Sequence, residues 1–171
     1  KRLEKVLDKA DELGMAPMVG LFYFGQQYRL KTDEAMLKAA DSATDWLLSK
    51  GYTNVLIEIA NETNHSSYSS PLLKPNRAHE LIQRVRERSG KKILISTSFT
   101  GGQVPPDNIA QHADFLLLHG NGIGDPNRIR RMVDQTRALA SYRNQPILFN
   151  EDDHFDFDKP DNNFLAALSK G

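Results

Sequence analysis

The sequence has no cysteine, so disulfide staples, a thiolate nucleophile and thiolate metal ligands are all excluded, and the redox compartment is left open. It also has no net charge. Its 22 basic residues match its 22 acidic ones, so it lacks the electrostatic footprint of a nucleic-acid binder or of a protein held on an anionic membrane surface. No stretch approaches the roughly 18 consecutive apolar residues that membrane insertion needs. There is no repeat of fixed period, no low-complexity tract and no Pro/Gly/Ser linker to divide the chain. Residues 1–171 therefore read as a single domain or part of one. The chain opens on Lys1-Arg2-Leu3-Glu4, already in helical rhythm and without a signal peptide. It reads as a piece of something longer at both ends, and a secreted or periplasmic location is expected only if the full chain carries a leader.

What is present alternates. Leu3, Val6, Leu7 and Leu13 mark the inward face of a first helix stopped by Gly14, and a strand is expected over 17–24. A second helix opens at Thr32 or Asp33, carries Met36, Leu37, Ala40, Ala43, Leu47 and Leu48, and ends at Gly51. Next comes the run Val55-Leu56-Ile57-Glu58-Ile59-Ala60-Asn61-Glu62. A third helix starts near Asn76 with Ala78, Leu81, Ile82 and Val85 inward, before a strand over 92–98. A short helix over 107–111 leads to the strand Phe115-Leu116-Leu117-Leu118-His119. Asp125-Pro126 caps a long helix bearing Ile129, Met132, Val133, Thr136 and Ala140. The run Pro146-Ile147-Leu148-Phe149-Asn150-Glu151 follows, and Asp161 is expected to cap a last helix through Leu168.

Five strands and about six helices in strict alternation mean an α/β fold with right-handed crossovers. The near-continuous apolar strands suit a parallel sheet covered on both faces. A five-stranded doubly wound sheet fits the length. A (β/α)8 barrel, present here as an incomplete barrel of about five parallel strands, better explains why polar residues close nearly every strand, because barrel chemistry gathers at the carboxyl ends. Tyr23 to Gln27, Asn61-Glu62, Ser96 to Ser98, His119 and Glu151 all stand there.

Glu62 and Glu151 each end an apolar run, and two carboxylates delivered this way can flank one glycosidic bond. Strand alternation predicts that an inward Glu62 brings Ala60 and Glu58 inward. In the same way Glu151 brings Phe149 and Ile147, and His119 brings Leu117 and Phe115. A carboxylate at Glu58, two pleats below the site, has to be paired or neutral, with its partner expected from a strand beyond the chain.

These residues resemble the central portion, strands three to seven, of clan-A retaining glycoside hydrolases of the cellulase and mannanase type. The resemblance rests on Glu58 followed by Asn61-Glu62 at the end of one strand, Glu151 after Pro146-Ile147-Leu148-Phe149, and His119 closing the strand between them. It implies Glu62 as acid/base, Glu151 as nucleophile, Asn61 on the sugar 2-hydroxyl, and a carbohydrate substrate with β-linkages. It implies neither cofactor nor metal. Thr63 stands where the family often has Pro, and Asn121 where a Tyr often steadies the nucleophile.

On this reading His119, Tyr23, His65, Asn121 and His154 are expected to contact substrate, with Gln26, Gln27 and Tyr28 near them. His79 and His112 are read as surface or packing residues, and Trp46 as helix packing. Two rival readings stay open: a metal-dependent barrel hydrolase or isomerase using Glu62, His119, Glu151, Asp153 and His154, and a non-catalytic sugar-binding barrel. The oligomeric state is not legible in the sequence.

Overall fold

The computed structural model describes residues 1–171. In chain order the elements are α1 (Arg2–Glu12), β1 (Met18–Phe22), α2 (Asp33–Ser49), β2 (Leu56–Ala60), α3 (Ala78–Arg88), β3 (Leu94–Ser96), α4 (Asp107–His112), β4 (Leu116–His119), α5 (Pro126–Arg137), β5 (Ile147–Glu151) and α6 (Asn163–Leu168). Short 3-10 turns at Gln27–Arg29 and Pro71–Leu73 lie in the loops after β1 and β2. The alternation read from the sequence is present, and every paired strand is parallel.

The strands do not form one continuous ladder. They fall into a three-stranded sheet, β1-β2-β3, and a two-stranded sheet, β4-β5. This corrects the expectation of five strands paired in chain order. Between β3 and β4 a few hydrogen bonds replace the ladder. Asp114 N–H donates to Ile95 O at 2.9 Å, Ile95 N–H donates to the Asp114 carboxylate at 2.9 Å, and Gly102 N–H donates to His119 O at 3.0 Å. Arg86 holds the same Asp114 carboxylate at 2.5 Å. Gly101 lets the loops after β3 and β4 touch, since a Cβ there would lie 2.1 Å from Asn121 O.

Most helices pack as their periodicity demands. Ala78, Leu81, Ile82 and Val85 of α3 are buried, as are Ile129, Met132, Val133 and Thr136 of α5. Thr32 caps α2 by accepting from Ala35 N–H, and Asp125 caps α5 with Pro126 in its first turn. Arg84 on Asp41 and Arg88 on Asp45 tie α3 to α2 with paired bonds of 2.6–2.7 Å. Trp46 packs against Tyr52, ring centroids 5.9 Å apart, as expected for a helix-packing residue. His79 and His112 stack on each other between α3 and α4 at 5.3 Å.

Other expectations are corrected. Of the apolar face expected on α1, only Leu7 is buried, in the core, while Leu3, Val6 and Leu13 are exposed; the helix is also tied down by polar contacts, with the Tyr52 hydroxyl reaching Glu4 O and the Asp8 carboxylate and Lys50 pairing with Glu4. The long helix stops at Arg137, short of Ala140. The cap of α6 is Asn162, which accepts from Leu165 N–H, whereas Asp161 pairs with Arg130. β1, β2 and β3 each stop two residues sooner than read, so the polar residues thought to close them sit in the turns beyond.

Candidate active site

β2 ends at Ala60, and the chain then turns sharply. Asn61 N–H still donates to Phe22 O at 3.0 Å, extending the contact with β1. Glu62 takes a left-handed backbone, φ 54°. For a residue with a Cβ this costs on the order of 1–2 kcal/mol, so the surroundings have to hold it. They do so from the residue after β3. Glu62 N–H donates to Ser98 Oγ at 2.8 Å, and Thr63 N–H donates to Ser98 O at 2.9 Å. The Tyr68 hydroxyl, buried in the following loop, donates to Asn61 O at 2.6 Å and lies 3.3 Å from Phe22 O. Burial pushes that hydroxyl's pKa up, so it stays a donor. Ser98 stood out in the sequence only as one of the polar residues at a strand end, with no role assigned, and Tyr68, in a polar loop, did not stand out at all.

Glu151 arrives by a different device. The register pairs Leu118 with Phe149 and His119 with Glu151, so Asn150 is an extra residue on β5, a β-bulge. Phe149 and Ile147 pack with the cluster of Leu118, Ile129, Met132 and Val133 beneath the helices. Strict alternation from Glu151 predicted Phe149 and Ile147 on the same side as the carboxylate. The bulge reverses the phase between Phe149 and Glu151 and aims the carboxylate away from the helices.

The turn and the bulge bring three side chains together. His119, fully buried, has Nδ1 3.1 Å from Glu62 Oε1 and 3.7 Å from Glu151 Oε2. One ligating atom from each of Glu62, His119 and Glu151 lies within 4.8 Å of the other two. Asn61 Nδ2 donates to Glu151 Oε1 at 3.0 Å. His119 Nε2 is buried without a partner. A bare lone pair there costs less than an orphaned N–H, which favours the tautomer with the proton on Nδ1, donating to Glu62.

Glu58 lines a cavity of about 600 Å³ together with Gly20, Tyr23, Gln26, Arg29, Asn61 and Glu151. It has no salt bridge, and its Oε1 is buried without a partner. Burial raises its pKa; the Ser98 hydroxyl and the nearby His119 oppose the shift, while the charges of Glu151 and Glu62 add to it. No cation pairs Glu58, and burial pushes its carboxyl toward the protonated form.

The remaining expected contacts divide. Tyr23 and Gln26 stand on the cavity wall, and so does Gln27, although its side chain bonds Ser67 O and Ser69 Oγ. His65 is turned to its own loop. It stacks on Phe24 at 3.9 Å, and its Nδ1 accepts from Ser67 N–H. Asn121 makes no contact with either glutamate, and its buried Oδ1 has no partner. His154 lies in a separate cluster, with Nδ1 3.0 Å from Asp152 and 2.9 Å from Asp153. Two groups therefore have the donors to hold a divalent ion, Glu62-His119-Glu151 and Asp152-Asp153-His154.

No protein-family model and no curated protein sequence matches the chain. Solved structures do. A β-glucosidase is similar over 97% of this chain and 62% of its own, at 13% identity and TM-score 0.60. A Bacteroides vulgatus protein described as a glycoside hydrolase is similar over 85% of this chain and 27% of its own, at 17% identity and TM-score 0.63. A family-39 β-xylosidase from Caulobacter crescentus is similar over 68% of this chain and 29% of its own, at 18% identity and TM-score 0.53. The chain thus spans between about a quarter and two thirds of the length of these proteins. Its parallel α/β architecture is that of glycoside hydrolases of the TIM-barrel type.

Proposed function

We propose that the chain is the catalytic portion of a glycoside hydrolase that cleaves β-glycosidic bonds of a poly- or oligosaccharide with net retention. The observation that carries this reading is the convergence of Glu62 and Glu151 on His119, from two strand ends, with carboxylate oxygens within 4.8 Å. Retaining pairs stand about 5 to 5.5 Å apart, and inverting pairs leave room for a water at about 6.5 to 9.5 Å. Glu151 attacks the anomeric carbon while Glu62 protonates the departing oxygen, giving a covalent glycosyl intermediate. Glu62, now the base, takes a proton from the water that hydrolyses it. Asn61 steadies the Glu151 carboxylate and stands beside the sugar 2-hydroxyl.

The test compares substrates in the intact protein. Glu62→Gln should nearly abolish cleavage of unactivated oligosaccharides, spare more activity on activated aryl β-glycosides, and respond to azide in the second step. Glu151→Ala should lose both activities. Equal losses for both variants without an azide response would sink the assignment. A metal-dependent hydrolase is the second reading, favoured by the ligand-like grouping of Glu62, His119 and Glu151. Activity restored by a divalent ion after chelation would decide for it.

A further inference from the structure

Three non-glycine residues take left-handed backbone conformations, Glu62, Lys91 and Asn144. The last two are exposed and lie in turns leading from a helix to the next strand. Glu62 alone combines the conformation with a part in the proposed chemistry, and four of the bonds around its turn involve Ser98. The Ser98 hydroxyl accepts from Glu62 N–H at 2.8 Å, and its carbonyl accepts from both Thr63 N–H and Thr63 Oγ1–H, at 2.9 and 3.2 Å. Ser98 N–H donates to Ala60 O at 3.3 Å, closing the turn from below. Ser98 is fully buried, so water cannot replace it.

The geometry points to Ser98 as a positioning residue: its hydroxyl fixes the left-handed Glu62 backbone and thereby aims the acid/base carboxyl at the leaving-group oxygen. Ser98 touches no substrate and acts through Glu62 alone. A hydrogen bond to a backbone N–H sets the direction in which the following Cα–Cβ bond leaves the chain. A loosened turn at Glu62 moves its carboxyl by an ångström or more while Glu151, on another strand, stays in place. The inference rests on the two-glutamate reading above.

The test is a leaving-group comparison in the intact protein. Ser98→Ala should lower kcat on an unactivated oligosaccharide about 10- to 100-fold, as small misplacements of a reacting group do. On an activated aryl glycoside, which needs no proton for departure, kcat/KM, which reports the first step alone, should stay within about twofold of wild type, and any fall in kcat should respond to azide because Glu62 is also the base of the second step. Ser98→Thr, which keeps the hydroxyl, should recover most of the lost activity.

Equal loss of kcat/KM on both substrates, or a rise in KM on the oligosaccharide with kcat unchanged, would each overturn the inference. If Ser98→Ala does not fold, Ser98→Cys, nearly isosteric but a poor acceptor, carries the same comparison. An active wild type that shows the Glu62→Gln split, with no split at Ser98, overturns this inference alone. A wild type without glycosidase activity overturns the functional reading, and this inference with it.

Discussion

Asn61 Nδ2 donates a hydrogen bond to Glu151 Oε1 at 3.0 Å, joining the end of β2 to the end of β5 across 90 positions of sequence. The bond crosses from one sheet to the other and ends on the proposed nucleophile. Asn61→Ala should therefore lower kcat on activated and unactivated substrates alike, by about 10- to 100-fold, because it disturbs the attacking group rather than the proton donor. Steady-state kinetics on the two substrate types checks this, and a loss confined to poor leaving groups would count against it.

Glu58 gives a pH prediction. Its folded pKa is raised, mainly by burial, so the folded state binds its proton more tightly than the unfolded chain. That contribution to stability is fully present below the ordinary carboxylate range and is lost as pH rises through the raised folded value. Glu58→Gln removes the ionisation. The variant should lose less stability than wild type between acidic and neutral pH. Denaturant midpoints at two pH values measure the difference. A variant that becomes relatively less stable at neutral pH would show that Glu58 has a cationic partner in the intact protein.

The left-handed turn at Glu62 predicts a trade between stability and activity. Glu62→Gly relieves the Cβ strain and should leave the protein as stable as wild type, or more stable by about 1 kcal/mol, while abolishing cleavage of unactivated substrates. Thermal unfolding together with an activity assay reads both. A clear drop in the midpoint would mean that the bond to His119 outweighs the strain.

Tyr68→Phe should cost about 1–3 kcal/mol, because Asn61 O is left buried without its 2.6 Å donor. Chemical denaturation gives the value. A change under 0.5 kcal/mol would mean that water fills the place of the hydroxyl.

Exhaustive chelation separates the two chemical readings. If two glutamates do the work, activity should be unchanged after dialysis against a chelator, and adding divalent ions back should give no gain. Loss on chelation with recovery on metal addition would transfer Glu62, His119 and Glu151 to the role of ligands.

Much of the fold was legible because its signals are local. The apolar stripe of α3, the Thr32 and Asp125-Pro126 caps and the all-apolar strand before His119 each depend on neighbours a few positions away, and the structure shows each of them. The errors have equally physical sources. α1 carries an apolar stripe, yet only Leu7 of it finds a surface to cover. The gap between β3 and β4 depends on how the Asp114 carboxylate and Arg86 fill the space between two strands, which no periodicity records.

For the site, the sequence determined which residue types could do acid/base and nucleophilic work and that they stand at strand ends. Asn61, Glu62, His119 and Glu151 do come together, whereas no hydrogen bond joins His65, Asn121 or His154, chosen because they follow strands, to either glutamate, although His154 lines a cavity with Glu151. Tertiary structure alone decided how the carboxylates face each other. A strand's alternation is a local rule, and both glutamates break it, Glu62 by leaving the strand in a left-handed turn and Glu151 by following a bulge at Asn150. Each departure is held by partners far away in the chain, Ser98 for the turn and the β4 register for the bulge. The energy that pays for the strain at Glu62 comes from those non-local bonds, which exist only once the strands have packed.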